Sequence, residues 1–176
     1  TSLKHPGEGF GLSSAKSLML NLQGNLELAS KENIGTEIKL IFPCCEKPNW
    51  LPQDITLIQG GIVMVLDDDS SMQILWQYRL QHYNVKIKIF STYEEALNWY
   101  NNLTAFENIT FIVDYELSDN HNGLSFFKHI QSLRYAYLVT SHADEIIMQD
   151  AVKEAGVWLI PKILADTIFL KEISST

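Results

Sequence analysis

The sequence predicts an α/β fold from Gly61 onward: a doubly wound parallel sheet of five strands, with helices on both faces. Three observations predict it. Short apolar runs at 62–66, 109–113 and 135–139 end abruptly at acids or a hydroxyl, as fully buried parallel strands do. Segments with the 3.6-residue period of amphipathic helices stand between them. A stretch holding three of the five prolines, 43–52, separates this part from what precedes it. Proline removes an amide donor and disfavours helix before it, so 44–60 reads as an extended linker.

The elements follow in order. Residues 62–66 form a buried strand. Residues 70–83 carry Met72, Leu75, Trp76, Leu80 and Tyr83 at helical spacing. At 85–90, Val85, Ile87 and Ile89 alternate with Lys86 and Lys88, the pattern of a half-exposed edge strand. Ser91 and Glu94 have capping-box spacing, which starts a helix to about Leu103. Strand 109–113 runs into Asp114, and a loop to Asn122 and a helix from Gly123 to about Ser132 follow. Strand 135–139 ends at Thr140. Helix 143–155 is stopped by Gly156, strand 157–160 leads to Lys162, and 164–173 reads as a last helix. Five such units demand right-handed crossovers and suggest the flavodoxin-like strand order 2-1-3-4-5.

Composition narrows the function. The 176 residues are 46% hydrophobic and 19% charged, which suits a folded chain rather than a disordered one. No apolar run approaches the ~18–20 residues of a membrane span, and no leader-like start is visible. A cytoplasmic location without membrane contact is the expectation. The net charge of −8 argues against nucleic-acid binding, which needs a basic surface. Residues 1–43 are neutral overall, and the acidity gathers after Gly61, part of it in Asp67-Asp68-Asp69. Cys44 and Cys45 are adjacent, a spacing that suits neither an unstrained disulfide nor a metal site, so reduced thiols are expected. The five histidines share no metal spacing and read as surface or packing residues.

In open α/β sheets reactive groups sit at the carboxyl ends of strands. Those ends carry Asp67, Asp68 and Asp69, then Asp114, then Thr140 and Ser141, then Lys162. The predicted order brings carboxylates, hydroxyl and amine to one rim. Clustered carboxylates repel by roughly 1–4 kcal/mol per pair, and a hard divalent cation such as Mg²⁺ relieves that repulsion. Asp114 then has the chemistry of a nucleophile toward a phosphoryl group, with Lys162 and Thr140 left to meet the phosphoryl oxygens.

This set resembles the receiver domain of two-component signalling. The resemblance spans about 60–174. It rests on Val-Leu-Asp67-Asp68-Asp69-Ser-Ser-Met, on Val113-Asp114-Tyr-Glu-Leu followed by Asn122-Gly123-Leu, on Leu138-Val-Thr140-Ser, and on Gly156 six positions before Lys162. It implies that Asp114 accepts phosphate from a phosphohistidine of a kinase or phosphotransfer domain. It implies that Asp67, Asp68 and Asp114 hold Mg²⁺ with the backbone carbonyl of Glu116, that Lys162 pairs with the phosphate, and that Thr140 is the switch hydroxyl. The sequence departs from the family in three places. Ser118 and Ile163 stand where prolines are usual, and Leu159, beside Trp158, stands at the aromatic switch position. Trp158 is expected near the rim carrying Lys162.

The first 43 residues hold Gly7, Gly9 and Gly11 in a glycine-rich turn leading to a helix, then strands at 26–29 and 37–42. This order resembles the carboxy-terminal end of a histidine-kinase ATP-binding domain, whose last glycine box meets ATP phosphates. Kinase end, linker and receiver together resemble a hybrid sensor histidine kinase. The remaining ATP-site motifs and the phosphorylated-histidine helix are absent from this stretch, so ATP belongs to the intact parent. The apolar segment 15–28 is expected to dock on the receiver or on another copy, giving a homodimer in the latter case. Two other readings compete: a pseudo-receiver used only for interaction, and a haloacid-dehalogenase-type phosphatase built on Asp67-x-Asp69.

Overall fold

A computed structural model describes residues 10–104, 108–118 and 121–174. The chain falls into two units, Thr1–Lys47 and Pro48–Thr176. The first comprises α1 (Phe10–Asn21) and the strands β1 (Asn25–Lys31) and β2 (Gly35–Ile41). The strands form an antiparallel hairpin that sets Leu26 opposite Leu40 and Leu28 opposite Ile38, with Glu27 opposite Lys39 on the other face. Met19 of α1 is buried, whereas Leu28, Ile38 and Leu40 are exposed. Gly11, expected in a turn, is the second residue of α1. Gly7 and Gly9 lie outside the described residues.

The second unit contains β3 (Asp54–Ile58), β4 (Ile62–Leu66), α2 (Ser70–Leu80), β5 (Lys86–Phe90), α3 (Tyr93–Asn101), β6 (Ile109–Asp114), α4 (Gly123–Phe127), β7 (Ala136–Thr140), α5 (Ile146–Ala155), β8 (Trp158–Pro161) and β9 (Phe169–Ile173). Five strands make one sheet in the order β5-β4-β6-β7-β8, all parallel. This is the expected 2-1-3-4-5 arrangement, with the lysine-bearing β5 at an edge. Alternation divides the strand side chains between two cores. Met64, Leu66, Phe111, Val113, Leu138 and Leu159 meet residues of α3, α4 and α5. Val63, Val65, Ile112, Tyr137, Val139 and Ile160 face the other way, toward Trp76 and Leu80 of α2.

Helix starts follow local chemistry. Asp69 caps α2 by accepting from Ser71 N at 2.8 Å. Thr92, one residue beyond the expected Ser91, caps α3 by accepting from Glu95 N. Asn122 and Ser125 form a reciprocal capping box on α4. Helix α4 ends at Phe127, earlier than expected, and gives way to tight turns, His129 N to Phe126 O and Ile130 N to Phe127 O. Gly156 ends α5 in the left-handed region at φ 71°.

Two expectations are corrected together. The stretch 44–60 is not all linker, and 164–173 is not a helix. A 3₁₀ turn at Lys162–Leu164 leads instead to β9, which pairs in parallel with β3, Asp54 beside Phe169 through Ile58 beside Ile173. Ile55, Leu57, Ile168 and Leu170 then cover the second core, where a helix was expected.

Side chains explain the outcome. Arg79 of α2 donates to the carbonyls of Ala165 and Ile168, acceptors a continuing helix would need. The Thr56 N–H donates to the Tyr137 hydroxyl at 2.8 Å, and the Thr110 hydroxyl donates to Thr56 O at 2.8 Å, so side chains of the central strands satisfy both backbone groups of Thr56 in the middle of β3. The Tyr83 hydroxyl donates to Leu170 O at 3.2 Å on β9. Arg79→Met keeps the aliphatic stem but strands two carbonyls. It should cost about 1–3 kcal/mol in urea unfolding and speed amide exchange in β9 ahead of β6.

Candidate functional site

The five strands deliver their terminal residues to one rim. Asp67 follows β4 directly, and its backbone N–H donates to Phe90 O of β5 at 3.1 Å. Asp114 closes β6 opposite Val139, and Thr140 closes β7 opposite Pro161. Lys162 follows β8. Gly123 begins α4 hard against the backbone carbonyl of Asp114, with Leu138 and Val113 beside it, so no side chain fits there.

Asp67, Asp114 and Thr140 are buried, and Asp68 is exposed. One carboxylate oxygen from each of Asp67, Asp68 and Asp114 lies within 4.8 Å of the others. Lys162 Nζ donates to Asp114 Oδ2 at 2.9 Å. Asp114 Oδ1 is buried without a hydrogen-bond partner among the described residues. Asp67 Oδ1 accepts from Asp69 N at 2.9 Å, and Asp68 Oδ2 accepts from Ser118 N at 3.1 Å. A proline at 118 has no N–H to make that last bond. The peptide bonds of the described residues, Lys162–Ile163 among them, are trans.

The electrostatics follow from burial. Desolvation, with Asp114 adding repulsion, pushes the Asp67 carboxyl up to about 7. Burial also raises Asp114, and the hydrogen bond and charge of Lys162 only partly offset it. Burial pulls the Lys162 ammonium down, but the hydrogen bond and charge of Asp114, with Asp67 and Asp69 behind it, outweigh this and leave it above its ordinary value. Asp69 is held low, first by the Ser71 backbone N–H. Its carboxylate therefore belongs to the helix cap and not to the acidic cluster.

An all-oxygen donor set with a buried, unpartnered oxygen fits a hard divalent cation. Asp67, Asp68 and Asp114 are the side chains that would hold it. The Glu116 backbone is bridged to Asn122 across the loop after β6, while its side chain is engaged elsewhere, on His142.

Lys162→Met should expose how far the cluster depends on its counter-charge. It leaves the buried Asp114 carboxylate without its ammonium partner and should cost about 3–5 kcal/mol of stability at neutral pH. The deficit should shrink on acidification, because Asp114 is protonated more readily than an ordinary carboxyl; urea unfolding at two pH values checks both parts.

The rim also holds residues that sequence patterning did not single out as site groups. Gln73 Nε2 donates to Asp67 O at 2.6 Å and to Ser91 Oγ at 2.9 Å, tying the loops after β4 and β5 to α2. His142, read as a surface or packing residue, bonds Glu116 Oε1 through Nε2 at 3.0 Å and Glu145 Oε1 through Nδ1 at 2.9 Å. Those carboxylates, Glu116 first, raise its pKa. Its backbone N–H donates to Thr140 Oγ1 at 3.0 Å, which leaves the hydroxyl proton free to be donated elsewhere. His142 lies within three residues of Thr140 and Glu145, but the Gln73 and Glu116 contacts join residues at no motif spacing, so no sequence signal marks those.

Trp158 is not near the rim. It begins β8 and Lys162 follows its end, so about four residues, or roughly 13 Å of strand, separate them. Leu159, beside it in β8, is fully buried in the first core.

No family model and no curated protein matches the chain. Solved structures do. The receiver domain of the histidine kinase CKI1 from Arabidopsis thaliana, complexed with Mg²⁺ and BeF3⁻, is 16% identical over 60% of this chain and 83% of its own, with a TM-score of 0.50. An uncharacterized protein from Neptuniibacter caesariensis is 17% identical over 60% of this chain and 78% of its own, with a TM-score of 0.51. A BeF3-activated DrrB receiver domain is 23% identical over 58% of this chain and 84% of its own, with a TM-score of 0.48. At these identities the likeness is one of architecture, and the second unit, with its five parallel strands in the order 2-1-3-4-5, has the fold of response-regulator receiver domains.

Proposed function

We propose that the second unit is a phosphoacceptor in two-component signalling, taking a phosphoryl group from a phosphohistidine onto Asp114. One observation carries this reading: three carboxylates converge within 4.8 Å, and the one with an unpartnered buried oxygen is also held by the ammonium of Lys162. In this reading Asp114 Oδ1 attacks phosphorus while Lys162 holds Oδ2 and orients the carboxylate. The phosphorus–nitrogen bond of the donor breaks, and the imidazole leaves with its electron pair. A carboxylate is a weak nucleophile, and orientation against a fixed ammonium makes up part of the deficit. Lys162 then exchanges one acceptor for another, moving from Oδ2 to a phosphoryl oxygen, and Thr140 donates its free proton to a second one. Bound Mg²⁺, held by Asp67, Asp68 and Asp114, would supply neutralisation of charge on the phosphoryl oxygens.

The partners of this reading are a histidine-phosphorylated kinase or phosphotransfer domain, and the setting is the cytoplasm. Among the described residues no helix is long and apolar enough to cross a membrane. The first unit is read as the end of a histidine-kinase ATP-binding domain within a hybrid kinase. Its helix-then-hairpin order supports this, and its exposed Leu28, Ile38 and Leu40 support docking on a second copy. The phosphatase reading loses ground because Asp69 is spent on capping α2. Incubation with Mg²⁺ and phosphoramidate should add about 80 Da, the mass of one phosphoryl group, to the intact protein. Absence of the adduct with phosphoramidate and acetyl phosphate alike would leave the pseudo-receiver reading in place.

A further inference from the structure

We infer that the second unit carries a separate binding site for an uncharged fused heteroaromatic ring of the purine kind. The site lies at the amino end of β8, the opposite end of that strand from Lys162. A cavity of about 620 Å³ opens there, lined by Asn49, Trp50, Gln149, Asp150, Lys153 and Trp158 among others. That volume falls in the range of ~300–1,000 Å³ usual for small-molecule sites. The site is built rather than incidental. Leu159 N donates to Trp50 O at 3.0 Å, pinning the 48–51 turn to the open edge of the sheet, and Leu51 N to Pro48 O closes that turn at 3.2 Å. Val152 and Val157 line it and are buried, and the left-handed Gly156 has open space where a side chain would stand.

The lining selects the ligand. Two tryptophans offer flat apolar surface of the kind on which heteroaromatic rings stack. The Asn49 and Gln149 carboxamides match the paired donor and acceptor edge of a purine, and Gln149 Nε2 is fixed on Ala143 O at 2.9 Å. Asp150 and Lys153 cancel in charge, which favours a neutral ring over a phosphate or a cation. The phosphoacceptor chemistry needs none of these residues, so the inference stands apart from it.

The test is adenosine titration of the full chain labelled with 5-fluorotryptophan, followed by ¹⁹F NMR. The four tryptophans give four resonances, assigned by single Trp→Phe variants. Saturable shifts confined to Trp50 and Trp158 are expected, with a midpoint in the low-millimolar range, about what a ring of this size achieves. Trp158→Leu should raise that midpoint at least tenfold, read on Trp50, with thermal melting unchanged. Asn49→Ala, at an exposed position, should raise it severalfold and serves if Trp158→Leu does not fold. Equal shifts at Trp76 and Trp99, no saturation up to the solubility of adenosine, or a midpoint unmoved by both variants would overturn the site.

Discussion

Asp114→Asn should abolish the phosphoryl adduct while leaving the fold intact. The substitution keeps the shape of the side chain and an oxygen for Lys162, so the 2.9 Å contact has a geometric heir. It removes the electron pair that attacks phosphorus, because an amide oxygen is a far poorer nucleophile than a carboxylate. It also removes a negative charge from a buried site where desolvation already disfavours it. The variant should therefore be at least as stable as the parent at neutral pH, yet take up label at least a thousandfold more slowly, in the range seen when a nucleophile is removed from a concerted site. Asp144→Asn, at an exposed acid that is not one of the three clustered carboxylates, is the matched control and should label like the parent. Intact mass and a radiolabel time course read both; equal labelling of the two variants would remove Asp114 from the role given to it.

The second large effect is expected at Asp67, and it concerns stability. In the unfolded chain this carboxyl ionises near 3.8, whereas in the folded chain it holds its proton up to about 7. Between those values the folded state binds more protons than the unfolded state, so stability falls as pH rises through the window. The slope is at most about 1.4 kcal/mol per pH unit for one group, hence a few kcal/mol in all without divalent ions. Mg²⁺ binds the deprotonated cluster, so its stabilising effect should be larger at pH 8 than at pH 6.

Asp67→Asn removes the buried charge and keeps an acceptor for Asp69 N. At pH 8 without divalent ions it should melt on the order of 10 °C above the parent. It should also gain little from Mg²⁺ where the parent gains several degrees. Differential scanning calorimetry at the two pH values decides it. A parent whose melting temperature is level from pH 5 to 8 would mean that the cluster does not hold its charge as described.

What was legible from sequence and what was not divide along a physical line. The residues of the rim could be read because strands end where apolar runs end, and Asp67, Asp114 and Thr140 sit at those ends. A parallel α/β order then leaves their convergence little freedom. The electrostatic state of the rim was not legible, because a carboxyl pushed to about 7 depends on how much water is excluded around it. Nor was the place of His142, whose partners Glu116 and Glu145 come from two different loops.

The strand Phe169–Ile173, in a stretch whose local pattern suggests a helix, has the same origin. Residues 164–173 alone suit either state. Arg79 on α2, with Tyr137 and Thr110 on the central strands, decides between them by taking backbone partners that are distant in the chain. Local pattern thus determined the five-stranded sheet and the groups at its carboxyl edge, because burial on two faces imposes a continuous apolar code on each strand. Only the tertiary structure decided what covers one of those faces and how the acids are charged, because both depend on contacts and desolvation that no stretch of sequence contains.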